Sequence, residues 1–174
     1  MNKNVRLLVK AAMLAALCCA ATLINIPLPG NGYANLGDAV VMCTAFFAGP
    51  FWGALAAAVG SALSDVILSY VIYAPATFVI KGLVALCFGL LFRMFVFKKA
   101  VIRTVMSVVC AIASEIIMVG GYFLFELFLY DRSVAVADIP GNSLQAAVAI
   151  VLAAILISLF SSNKRILKYA SIIK

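Results

Sequence analysis

The chain has 174 residues, of which 67% are hydrophobic and 11% charged, and its mean hydropathy is +1.21. A soluble domain is about 45–50% apolar and about 25% charged, so a water-soluble globule and a disordered tail are both excluded. The net charge of +7 does not point to nucleic acid, because the basic residues sit at the ends of apolar runs, where anionic headgroups and the positive-inside rule account for them.

A spanning helix needs about 20 apolar residues. The pattern predicts one all-α membrane domain over residues 1–174 with six transmembrane helices. The first covers Leu7 to Ile26; Lys3, Arg6 and Lys10 precede or open it. Further apolar runs follow, so it is read as a retained helix, not a cleaved signal. Pro27, Pro29, Gly30 and Gly32 then mark a loop ending near Leu36. The second helix covers Gly37 to Gly49 and is short. Gly49-Pro50 breaks the chain before a third helix, Phe51 to Leu68. A polar-aromatic loop spans Ser69 to Pro75. The fourth helix covers Ala76 to Phe97, the fifth Val101 to Leu129 and the sixth Leu144 to Phe160. The tail from Asn163 to Lys174 mixes Lys and Arg with Ile, Leu and Tyr, as an interfacial anchor would.

Basic residues set the orientation. Lys3, Arg6 and Lys10, then Arg93, Lys98, Lys99 and Arg103, then Lys164, Arg165, Lys168 and Lys174 make up 11 of the 13. They share one side only if the helix count is even, which puts both termini in the cytoplasm. A single kinked helix across Gly49-Pro50 would leave five spans and put the Arg93–Arg103 cluster outside. Asp38, Asp131, Arg132 and Asp138 are assigned to the outer side.

Ala12, Ala16 and Ala20 share one face of the first helix, with Ala11 and Ala15 beside them; Gly53, Ala57, Gly60 and Ser64 form a similar stripe on the third. Small faces let backbones approach closely in lipid. On helix three this reads as packing within the chain, and on helix one as that or as the seat of a second protein. The cysteines, Cys18, Cys19, Cys43, Cys87 and Cys110, fall in apolar runs without C-x-x-C spacing and read as packing residues. With no histidine, Ser-His and Cys-His nucleophile pairs are impossible.

Charges inside a bilayer cost a few kcal/mol each and are usually paired or functional. Asp38 opens helix two, where the helix dipole favours a carboxylate. Counting at 1.5 Å per residue places Lys81 roughly 8 Å, and Asp65 and Glu126 roughly 5 Å, below the outer helix ends. These three form an outer layer, with Asp65–Lys81 either a structural ion pair or a pair of ligand contacts. Glu115 falls about 20 Å down, away from any basic residue. Tyr33, Asn35, Tyr70, Tyr73, Thr77, Tyr122, Asn142 and Gln145 surround the layer. Rings beside a few charged and amide groups suit a small, flat, polar ligand, although an aromatic belt explains Tyr70 and Tyr130 equally well. The ligand-binding set is therefore Tyr33, Asn35, Asp38, Asp65, Tyr73, Thr77, Lys81, Glu115, Tyr122 and Glu126.

These residues carry a resemblance. KAAMLAALCCAA (Lys10–Ala21), NLGDAVV (Asn35–Val41), FAGPFWGALAAAVGSALSD (Phe47–Asp65), YAPATFVIKG (Tyr73–Gly82) and the six-span pattern are similar to the substrate-binding (S) component of energy-coupling factor (ECF) vitamin transporters. The resemblance covers nearly the whole chain. It implies a multi-pass protein of the bacterial cell membrane that binds a vitamin from outside and is not an enzyme. It also implies docking on a membrane coupling subunit driven by two cytoplasmic ATPases, with Ala12, Ala16 and Ala20 as the docking face. No cofactor and no metal are implied, and no phosphate loop of the G-x-x-x-x-G-K-[ST] type is present in the sequence. The LGDA and APxTxxIKG elements look like the subgroup assigned to riboflavin, or to hydroxymethylpyrimidine and pyridoxine. A pyridoxine- or pyrimidine-sized ligand fits the outer layer better than the larger flavin, and folate would want more cations than Lys81. The rival readings are a membrane enzyme and a self-contained small carrier.

Overall fold

A computed structural model of the chain describes residues 2–27, 33–163 and 166–167. Pro29, Gly30, Gly32, Lys164, Arg165, Lys168 and Lys174, with most of the expected tail anchor, lie outside the described residues, as do the side chains of Lys3 and Tyr33. The elements in chain order are α1 (Lys3–Thr22), β1 (Asn25–Pro27), β2 (Tyr33–Asn35), α2 (Gly37–Ala48), α3 (Pro50–Ile67), α4 (Ala74–Arg93), α5 (Ala100–Leu129) and α6 (Arg132–Ser162). Five of the helices are long and apolar enough to cross a membrane; α2, with 12 residues, is shorter.

The expected Pro27–Leu36 loop starts and ends as a small antiparallel hairpin, with Asn25 opposite Asn35 and Pro27 opposite Tyr33. It joins the end of α1 to the start of α2. Gly49-Pro50 is a reversal between two helices, not a kink. Thr44 Oγ1 donates to the Gly53 carbonyl at 2.8 Å, and a Cβ on Gly53 would lie 2.5 Å from Ala45 Cα. Pro50 is tolerated as the first residue of α3, where its missing N–H has no intrahelical partner to lose.

Helix α6 begins at Arg132, twelve positions before the expected Leu144, and Pro140 sits inside it. Asp131 caps it by accepting from the Ser133 and Val134 N–H groups, bonds that hold its carboxyl below the usual range. The added turns carry a set of polar residues on an inward face, while Val136 and Ile139 are exposed on the outer one. Asp138, Asn142 and Gln145, spaced by four and three, are all buried on one face. Asp138 is thus buried on a helix face, where the expected start at Leu144 left it in the preceding loop.

Helix α2 packs against α1, α3, α4 and α6 and is buried along nearly its whole length. Below the polar end, Phe46, Phe88 and Phe92 fill the middle of the bundle without exposure. The two small-residue faces of α1 separate in space. Ala11, Cys18, Cys19 and Thr22 turn inward, whereas Ala12, Ala16 and Ala20 are exposed. The inward face meets the stripe on α3, as expected for packing within the chain. A Cβ on Gly60 would stand 2.3 Å from the Ala15 carbonyl oxygen, so the two backbones touch there.

Gly60→Ala is therefore expected to push α1 off α3 and cost about 1–3 kcal/mol, read as a lowered unfolding midpoint of the purified protein in detergent. Gly120→Ala, inside α5 where an added Cβ meets nothing within 4 Å, is expected to hold the midpoint or raise it slightly.

Candidate ligand-binding site

A polar cavity opens between the helix ends on the hairpin side of the bundle. Asn35, Asp65, Tyr73, Thr77, Tyr122, Glu126 and Asn142 line it, around roughly 290 Å³ of empty space that includes volume open to solvent. Four wall residues come from the ends of elements, Asn35 from β2, Asp65 from the last turn of α3, Thr77 from the first turn of α4 and Glu126 from the last turn of α5, while Tyr122 and Asn142 come from farther inside α5 and α6. Tyr73 lies just before α4 and is buried, its ring edge-on to Phe125 at 5.3 Å and near Tyr70 at 6.2 Å. Tyr122 shares a hydrogen bond with the Thr77 hydroxyl at 3.0 Å. Six of the ten expected site residues thus meet around one hollow.

Three of the remaining four form a second tier, one helical turn beyond Thr77 along α4. Lys81 Nζ donates to Asp38 Oδ1 at 2.5 Å, with both side chains essentially unexposed. Lysine 81 therefore pairs with Asp38, and the expected Asp65–Lys81 pair is replaced. The physical reason is register. Helix α4 starts at Ala74, two residues earlier than expected, so Lys81 enters the bundle about 10 Å from the helix end, at the level of the N-terminus of α2. The Lys81 ammonium also sits 5.3 Å from the centre of the Tyr122 ring, a cation–π contact that ties the two tiers together.

Glu115 belongs to this lower tier as well. It interacts electrostatically with both Lys81 and Asp38, which corrects its expected separation from any basic group. Both of its carboxyl oxygens are buried without a hydrogen-bond partner. The tenth residue, Tyr33, contributes a backbone position on β2 and its side chain lies outside the described residues.

Besides Asn142 of the lining, two further residues outside the expected binding set join the site. Gln145 contacts both Asp38 and the hairpin, and Asp138 lies against Glu126. The signal for both was the spacing of polar residues at 138, 142 and 145, which a helix carried through Pro140 places on one face.

A membrane bundle of this shape, with a polar hollow at the hairpin end, has the fold of ECF transporter S components. It superposes on the S component of a bacterial ECF transporter with a TM-score of 0.72 at 19% identity, over 92% of this chain and 98% of that one. It superposes on ThiT from Listeria monocytogenes with a TM-score of 0.74 at 13% identity, over 95% and 98% of the two chains. In sequence it is 34% identical over 138 residues to an uncharacterized protein of the gap 3′ region of Pyrococcus woesei, spanning 79% of this chain and 88% of that protein. The profile of the ECF-type riboflavin transporter, S component, matches residues 2–162, and the chain belongs to that family. It is accordingly an integral membrane subunit for vitamin uptake and not an enzyme.

Proposed function

We propose that this S component captures a flat, uncharged heteroaromatic vitamin of the pyridoxine or hydroxymethylpyrimidine class from the outer side of the membrane. One observation carries the reading: a small hollow lined by two amides, two phenols, a hydroxyl and two carboxyl groups. Phenol rings stack on a heteroaromatic ring, and the amides and carboxyls match its hydroxyl and amino groups. An anionic vitamin is disfavoured, because the lysine nearest the hollow is already neutralised by Asp38. Riboflavin is the second reading, favoured by the description of the family itself.

In this reading the six helices all cross the bilayer, both chain ends are cytoplasmic and the hairpin faces outward, an arrangement the basic clusters favour. The ligand touches Asn35, Asp65, Tyr73, Thr77, Tyr122 and Glu126, while Asp38, Lys81 and Glu115 form the floor and Tyr33 the rim. The exposed Ala12, Ala16 and Ala20 seat the coupling subunit, whose two ATPases drive import.

Ligand-linked stabilisation tests the substrate. A vitamin at about a hundred times its Kd stabilises the protein by about 2.7 kcal/mol. Pyridoxine or hydroxymethylpyrimidine is expected to raise the unfolding midpoint strongly and folate not at all. A rise with riboflavin alone would move the assignment to the second reading. Uptake into liposomes by the purified chain alone would instead favour a self-contained carrier.

A further inference from the structure

We propose that Gln145 is a positioning residue that fixes the hairpin wall of the vitamin site to the buried ion pair beneath it; the inference rests on the binding reading above. The Gln145 side chain is 4% exposed. Its Oε1 accepts the backbone N–H of Asn35 at 2.7 Å, across 110 positions of chain. Its Nε2 donates to Asp38 Oδ2, the oxygen that Lys81 leaves open. The amide cannot turn over. A flipped carboxamide would aim NH2 at an N–H donor and C=O at a carboxyl acceptor, breaking both bonds at once.

Asn35 is itself a wall residue of the hollow. Its own side chain accepts from the Gly37 N–H at 2.8 Å, so it caps the start of α2 while Gln145 holds its backbone. The position of one cavity wall is therefore set by a chain of contacts running Asn35, Gln145, Asp38, Lys81. That chain returns to the opposite wall through the Tyr122 ring and its bond to Thr77. Ligand discrimination at the hairpin wall then depends on a glutamine that lies outside the hollow's lining.

Amide hydrogen exchange and binding together test this. In the ligand-free wild-type protein the Asn35 amide is expected to be protected. Gln145→Leu is expected to speed its exchange about tenfold, the worth of one hydrogen bond, and to weaken binding of riboflavin or pyridoxine, whichever the wild type binds, by a similar factor. Gln145→Glu retains an acceptor for Asn35 and is expected to keep that amide protected. An unprotected Asn35 amide in the wild type overturns the proposal without any variant. So does a Gln145→Leu protein with weakened affinity but unchanged Asn35 exchange, since Gln145 would then act on the ligand directly. Because exchange is read without ligand, failure of every vitamin to bind would count against the binding reading alone.

Discussion

Lys81→Met is expected to be the most damaging single substitution in the bundle. It leaves Asp38, with no solvent exposure, as a carboxylate in low dielectric without its counter-ion, held by the Gln145 amide at the start of α2. Removing one partner of a buried ion pair costs about 3–5 kcal/mol, mostly the penalty of the stranded charge. The unfolding midpoint in detergent should fall accordingly, and vitamin binding with it. The double variant Asp38→Asn/Lys81→Met removes both charges and should recover most of the stability. Its affinity then separates two roles. Recovered binding means Lys81 serves only to hold Tyr122 and Asp38 in place, and lost binding means its ammonium meets the ligand. A single variant as stable as the wild type would show that the pair carries no such weight.

Ala16→Trp is expected to act in the opposite sense, abolishing uptake while leaving affinity intact. Ala16 lies on the exposed face of α1, away from the Ala11, Cys18 and Thr22 face that packs inward. An indole there projects outward, disturbs no internal contact and blocks close approach of another helix. The comparison needs two assays on one variant: vitamin affinity of the purified chain, and transport with the coupling subunit and ATPases present. Wild-type transport would remove the docking role from this face. Gly60→Ala, on the inward seam, should lose stability first, so the two small-residue faces of α1 have distinguishable failures.

Much of this architecture is legible in the residue pattern, because a helix in lipid must satisfy its backbone internally and show apolar side chains outward. That constraint places α1, α3, α4 and α5 within a few residues of their observed ends, and it exposes the odd charges that mark the polar end. It fails where side chains face one another. The first three turns of α6 read as a loop because Pro140, Gly141 and the polar positions 138, 142 and 145 depress the hydropathy of a stretch that looks into the hollow. The partner of Lys81 is likewise a tertiary fact. Asp38 is 43 positions away and Asp65 is 16, and only the start of α4 and the burial of α2 decide between them. The hairpin strands carry three residues each, too few for alternation to register.

The shortness of α2 has a consequence for what the protein can admit. Twelve residues rise about 18 Å, against a hydrocarbon layer of about 30 Å. In the proposed reading the hairpin and the hollow take up the missing depth, so the guest sits sunken within the membrane's thickness, ringed by lipid-facing helices. A solute descending into it sheds its hydration shell before reaching Tyr122, and any polar atom left unmatched there costs on the order of a kcal/mol or more. Selection among chemically close nutrients can then rest on dehydration itself, with discrimination arising from the atoms a wrong molecule fails to pair.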